Sequence, residues 1–313
     1  MRIVFVMDPP STVIVDEDTT FGIMLAAQAR EHRIDYCRVE DVWLDGDRPV
    51  ARVRSVTAQP DPAAPMILGE AEELPLEDAD VVFVRKDPPF DRPYLWLTLI
   101  LEHLRDAKTV VVNDPRALRD ANEKLYAHHF PAFLPRTLVV SDERRIRRFL
   151  EELGGDAIIK PVDGHGGASV YAISLEDRNL NALIEAVTHG GSRVAIVQAL
   201  IPEVKEGDKR ILLLEGEPIG AILRVPTGGD VRSNIHVGGQ VVATELNAHE
   251  REICKAMGPR LREDGLFFVG IDVIGPYLTE VNVTSPTGIR QASRLSGQDL
   301  EAQVVEALEQ KIA

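Results

Sequence analysis

Three oxygen-bearing side chains, Asp272, Glu280 and Asn282, interrupt two otherwise apolar runs near the end of the chain, residues 267–274 and 277–283. The Gly275-Pro276 pair between the runs predicts a β-hairpin. Positions two apart in a strand share a face, so Glu280 and Asn282 project together while Val281 and Val283 point into a core. Asp272 on the partner strand comes opposite them if the register is right. Two carboxylates and an amide oxygen form an all-oxygen donor set suited to Mg²⁺ or Mn²⁺.

Cationic side chains fall on other apolar elements. Lys160 ends a predicted strand over 157–160, and Gly164-His165-Gly166-Gly167 follows it. Glycines let backbone N–H groups approach phosphate oxygens closely, and a lysine at the end of an apolar strand needs an anion beside it. The spacing lacks the Gly-Lys-Ser/Thr of a Walker loop, so a plain hairpin turn stays open as a reading. Arg210 and Arg224 lie on the two strands of a second predicted hairpin, 209–214 and 219–225. Near the carboxylates they would hold a phosphate and stabilise an oxyanion; structural ion pairs are the alternative. Residues 226–240 carry glycine pairs at both ends around Arg232, Ser233 and Asn234, the pattern of a hinged lid. His165 and His236 read as incidental loop residues. Arg85 ends a buried strand over 81–85, placed either to clamp a substrate carboxylate or to sit as a surface charge.

The elements that must position these groups read as α/β. A strand over 2–7, a helix over 21–31 and a strand over 34–39 open a doubly wound parallel sheet. The first turn is Asp8-Pro9-Pro10-Ser11 rather than a Gly-x-Gly-x-x-Gly fingerprint, which excludes a dinucleotide domain of the dehydrogenase type. Residues 42–74 look irregular, with short strands and a Pro/Ala-rich loop. A helix over 91–104 and a strand over 109–112 follow, and the first domain closes near Asn113-Asp114-Pro115. Further helices are expected over 119–130, containing Lys124; from a cap at Ser141 to 153; over 179–187 and 247–263; and from about 298 onward. Strands are expected over 169–173 and 194–200.

The 313 residues suffice for two or three subdomains. Thirty-five basic against 50 acidic residues give −15, which argues against general affinity for nucleic acid or an anionic membrane. Cys37 and Cys254 lie outside any metal or redox spacing and read as buried thiols. The N-terminal run is too short for a signal peptide, and no stretch reaches membrane-span length, so a soluble cytoplasmic protein is expected.

Eight segments in order resemble the bacterial glutathione synthetase family of the ATP-grasp superfamily. They are VMDPP at 6–10, VRKDPPFD at 84–91, LRDANEKL at 118–125, IIKPVDGHGGASV at 158–170, EGDKRILLLEGEP at 206–218, RVPTGGDVRSN at 224–234, FVGIDVIG at 268–275 and LTEVNVTSPTGIR at 278–290. The resemblance implies an ATP-grasp fold behind an N-terminal doubly wound parallel-sheet domain. It divides the chain into a substrate-binding domain over 1–118, a lid subdomain over 119–200 and a catalytic subdomain over 201–313. It implies that Lys124, Lys160, Gly164, Gly166 and Gly167 meet ATP phosphates, that Gln198, Ala199 and Leu200 hold adenine, and that Asp208 lies near the ribose. Asp272, Glu280 and Asn282 would bind Mg²⁺ or Mn²⁺, and Arg210, Arg224 and Arg232 would act on the transferring phosphate. Ser285, Pro286 and Thr287 would line the acceptor site, and Arg85 with the DPP turn the dipeptide side. The implied reaction is ATP-dependent joining of γ-glutamylcysteine to glycine by a homo-oligomer, the alternative being a ligase of the same superfamily with another acid or amine. After SPTGIR the family often continues with acidic residues, whereas this chain runs Gln291-Ala292-Ser293-Arg294.

Overall fold

The computed structural model describes residues 1–164, 166, 169–226 and 240–313. The first sheet begins with β1 (Arg2–Met7), crosses through α1 (Thr19–Ala29) and returns as β2 (Arg33–Cys37) parallel to β1. Asp18 starts α1 by accepting the Phe21 N–H. The next three strands, β3 (Val42–Asp45), β4 (Arg48–Ala58) and β5 (Met66–Pro75), form an antiparallel meander on the β2 side. The stretch expected to be irregular thus holds two of the longest strands in the chain. Its pattern was obscured because β5 is exposed along much of its length and shows no clean alternation. Then β6 (Val81–Arg85), α2 (Arg92–Leu101) and β7 (Val110–Val112) complete the parallel half, in the order β2-β1-β6-β7.

Asp114 caps α3 (Pro115–Asp120), and the chain then leaves the helix. The helix expected over 119–130 does not form. Asn122 Oδ1 instead accepts the N–H groups of Lys124 and Leu125, offering the backbone a turn in place of a helical bond, and Lys124 stands in that turn. A second sheet follows, ordered β10-β9-β11-β8 and antiparallel throughout. Its strands are β8 (Thr137–Val140), β9 (Asp156–Pro161), β10 (Tyr171–Ser174) and β11 (Ala195–Ala199), backed by α4 (Glu143–Leu153) and α5 (Leu180–Thr188). The cap of α4 is Asp142 rather than Ser141.

The third sheet is ordered β14-β13-β12-β15-β16. It comprises β12 (Asp208–Leu214), β13 (Glu217–Val225), β14 (Gln240–Ala243), β15 (Phe268–Ile274) and β16 (Tyr277–Asn282). Helix α6 (Ala248–Glu263) precedes β15; α7 (Ile289–Ser296), not expected from the sequence, and α8 (Leu300–Ile312) follow β16. Two hydrophobic clusters join this sheet to the first one. Ile211, Val269 and Val281 pack with Val4 and Val82 on one side, and Leu212, Phe268, Val304 and Leu308 pack with Phe5 and Phe21 on the other. Asn113 adds three hydrogen bonds across the junction, to Phe268 O, Phe268 N and Val283 O. The second sheet keeps a cluster of its own, drawn from residues between Leu138 and Val197.

Candidate functional site

Strand register puts the charged groups of the third sheet in one row. Arg224 on β13 pairs with Asp208 on β12; Arg210, two residues on from Asp208, pairs with Asp272 on β15; Asp272 pairs with Glu280 on β16. Opposed residues in an antiparallel ladder share a face, so all five side chains project together. Asn282 joins them from opposite Gly270. Arg210 forks onto Asp272, Nε to Oδ1 at 2.5 Å and Nη2 to Oδ2 at 2.9 Å, and Arg224 Nη2 reaches the same Oδ1 at 2.9 Å. Burial pushes the Asp272 carboxyl up, but the two guanidiniums outweigh it and hold the group well below the usual carboxylate range. Burial pushes Asp208 up to about 6 against the pull of Arg224. Arg224 stays charged because Asp208 and Asp272 overcome its desolvation. Asp208 Oδ1 and Arg224 Nε are buried without a hydrogen-bond partner among the described residues, as expected of groups waiting for a ligand.

Lys124 and Lys160 line the same cavity of about 510 Å³ as this row. Lys124 Nζ lies 3.0 Å from Glu280 Oε1 and donates to Gly164 O. Lys160, on β9, reaches Gln198 Oε1 at 3.4 Å, and burial lowers the pKa of its ammonium. Gly164, Gly166, Gln198, Ala199 and Leu200 line the same cavity, with Ile158, Val170, Ile201 and Ile274 forming an apolar part of its wall. One end is thus apolar and the other densely charged.

The segment 285–287 is fastened from two sides. Arg210 Nη1 donates to Thr287 O at 3.2 Å, and Arg85 Nη2 donates to Pro286 O at 2.9 Å. Ser285 and Thr287 line the cavity, whereas Pro286 contributes its carbonyl to Arg85. Arg85 is no surface charge: it is 3% exposed, held between the Phe83 and Phe268 rings. Arg232 and Gly167 lie outside the described residues, as do His165, His236 and the lid expected over 226–240 apart from its two ends.

Some groups with a clear part in the geometry carried no signal in the sequence. Glu123 accepts from Val283 N, Thr284 N and Thr284 Oγ1, while its carbonyl accepts the Val281 N–H. It latches the turn bearing Lys124 to the strand end bearing Glu280 and Asn282; its place beside Lys124 was the one available hint. Gly270 leaves room for Arg210: a Cβ there would stand 3.0 Å from both Arg210 Cδ and Pro286 Cβ. Glu17, Asp18, Asp87 and Gln291 also line the cavity.

The donor set fits a hard divalent cation that also takes ligand oxygens. Among the described residues no three His, Cys, Asp or Glu side chains gather as an all-protein cage. Asp272, Glu280 and Asn282 offer only oxygens, and Asn282 spends its Nδ2 on Gly270 O and Asp272 Oδ2, which leaves Oδ1 without a hydrogen bond among the described residues. Mg²⁺ is commonly held by one or two carboxylates completed by phosphate and water.

Comparison with known proteins agrees along the whole chain. The family model for the prokaryotic glutathione synthetase N-terminal domain matches residues 1–119, and that for the prokaryotic glutathione synthetase ATP-grasp domain matches 123–297. A glutathione synthetase of Synechococcus elongatus is 46% identical over 318 residues, covering 99% of this chain and 98% of the relative. One of Bradyrhizobium diazoefficiens is 45% identical over 307 residues, covering 98% and 97%. The fold is similar to that of a D-cycloserine synthetase, with a TM-score of 0.72 at 15% identity and full coverage of both chains. It is also similar to an ATP-grasp ligase complexed with a minimal precursor variant, Mg and ADP, with a TM-score of 0.64 at 18% identity, covering 99% of this chain and 98% of that one. No helix among the described residues is long and apolar enough to cross a membrane.

Proposed function

The chain belongs to the prokaryotic glutathione synthetase family of ATP-dependent carbon–nitrogen ligases, and from that premise we propose that it joins γ-glutamylcysteine to glycine. The observation that carries the reading is the row from Arg224 to Glu280, which lines one cavity together with Lys124 and Lys160. In the first step a cysteinyl carboxylate oxygen attacks the γ-phosphorus of ATP, the bond to the bridging oxygen breaks, and ADP leaves. In the second, the glycine amine attacks the acyl carbon, its carbon–oxygen bond to phosphate breaks, and phosphate leaves.

Lys124 and Lys160, with the backbone at Gly164, Gly166 and Gly167, neutralise phosphate oxygens. Gln198, Ala199 and Leu200, beside the apolar wall, receive adenine, and Asp208 lies toward the ribose. Asp272, Glu280 and Asn282 would hold Mg²⁺, which when bound neutralises charge on the phosphates. Arg210 and Arg224, already aligned on Asp272, stabilise the oxyanions that build up during transfer, aided by Arg232. Ser285, Pro286 and Thr287 border the glycine, Arg85 borders the dipeptide, and loop 226–240 excludes water from the acyl-phosphate.

The division at 1–118, 119–200 and 201–313 assigns substrate binding, lid and catalysis. Three successive sheets and the two matched family segments support it. The family likeness supports a cytoplasmic homo-oligomer, which native mass measurement checks. The functional test is ADP release measured with γ-glutamylcysteine and a panel of amino acids. Glycine-dependent release is expected; release with other partners only would reject the assignment.

A further inference from the structure

The second sheet carries a chain of polar side chains that ends on Lys160. In its ladder Gln198 on β11 stands opposite both Thr137 on β8 and Ile158 on β9, and Lys160 lies two residues on from Ile158. Opposed residues, and residues two apart on one strand, share a face, so Thr137, Gln198 and Lys160 project to the same side of the sheet. That side borders the nucleotide cavity, because Ile158, Lys160 and Gln198 all line it. Thr137, one strand farther out, is not part of the lining.

Three hydrogen bonds run along this face. Thr137 Oγ1 donates to Pro135 O at 2.8 Å, Gln198 Nε2 donates to Thr137 Oγ1 at 3.0 Å, and Lys160 Nζ donates to Gln198 Oε1 at 3.4 Å. The last is the one hydrogen bond of the Lys160 ammonium among the described residues. Counting protons fixes the direction of the chain. A hydroxyl has a single proton. Thr137 spends it on the Pro135 carbonyl, which takes no other hydrogen bond among the described residues, so toward Gln198 it only accepts. The amide must then turn Nε2 to Thr137, and Oε1 is left toward Lys160. With the amide reversed, an NH2 group would face an ammonium. The Thr137 proton would also be drawn away from Pro135, leaving the carbonyl of a buried residue unpaired.

We propose that Thr137 is a positioning residue for the nucleotide: it sets the orientation of the Gln198 amide, and through that amide the place of the Lys160 ammonium against the phosphates. The inference rests on the assignment of Lys160 to phosphate above and adds a residue that touches no substrate. Gln198 accordingly works with its side chain as well as its backbone, as the link between a hydroxyl behind the site and a cation within it.

The test compares Thr137→Val, which keeps the shape and removes both hydrogen bonds of the hydroxyl, with Thr137→Ser, which restores them. ATP binding is read as KM for ATP in ADP release and as the rise in melting temperature on adding ATP with Mg²⁺. Thr137→Val should raise KM for ATP about 3- to 10-fold, the scale of one hydrogen bond, and shrink the ATP-induced rise, while kcat and KM for γ-glutamylcysteine hold. Thr137→Ser should return both readings to wild-type values. Gln198→Leu, which deletes the amide, should raise KM for ATP at least as far. In that background Thr137→Val should add nothing, because no amide remains to be oriented. A merely structural threonine would keep its effect there, and that result would overturn the inference. So would a KM for ATP in Thr137→Val equal to that of the wild type, or a Thr137→Ser variant that fails to recover. Lys160→Ala with unchanged KM for ATP would instead overturn the phosphate role of Lys160, and a wild type without any ATP-induced rise would overturn the nucleotide site itself.

Discussion

Asp272 and Lys160 face the same cavity, yet the strands that carry them belong to different cores. Strands β12 and β15 contribute to both clusters shared with the N-terminal sheet and β16 to one of them, so the carboxylate wall is anchored by most of the molecule. Lys160, Gln198 and Gly164 stand on or beside a four-stranded sheet whose apolar cluster draws only on residues between 138 and 197. A body with a separate core can open without disturbing the rest, because little apolar surface is shared. A ligase that shields an acyl-phosphate needs this asymmetry: one wall fixes the reacting atoms and the other closes over the nucleotide.

The sharpest division should appear in the chemistry. On the proposed function Arg210 acts on the transferring phosphate, so in Arg210→Ala kcat should fall by about 10²–10³-fold, with KM for ATP changing far less. Unchanged turnover in steady-state assays would remove Arg210 from that role. Core truncations divide the walls by stability. Ile184→Ala in the lid cluster and Leu308→Ala in the shared cluster should each cost about 2–5 kcal/mol where they act. Hydrogen exchange should show Ile184→Ala loosening 146–197 while 268–282 stays protected, and Leu308→Ala lowering the global melting temperature. Equal loosening of both segments by Ile184→Ala would erase the distinction. If Lys160 binds phosphate as proposed, Lys160→Ala should raise KM for ATP by about 10- to 100-fold with a smaller change in kcat. Gly270→Ala should be mildest: its Cβ displaces Arg210 by tenths of an ångström, so kcat should drop several-fold while nucleotide binding holds.

The two walls also differed in how plainly the sequence announced them. Asp272, Glu280 and Asn282 were legible because period-two alternation fixes which strand residues share a face, and the observed pairing of Asp272 with Glu280 follows that rule. Arg210 and Arg224 were visible as candidates, but their convergence on one carboxylate depends on β12 lying between β13 and β15, which pattern alone does not specify. Lys124 was found in the wrong local structure, because Asn122 competes for the backbone in a stretch with helical composition. Glu123 and Gly270 act through partners 160 and 60 residues away in sequence, at Val283 and Arg210, contacts that no local pattern specifies.

A crystal structure with a non-hydrolysable ATP analogue and Mg²⁺ decides whether the two walls grip one ligand. The triphosphate should lie between Lys124 and Lys160 on one side and the cation on the other, with Asp272, Glu280 and Asn282 supplying oxygens to that cation. A nucleotide seated elsewhere, with those three side chains uncoordinated and Asp272 still shared by Arg210 and Arg224, would refute it.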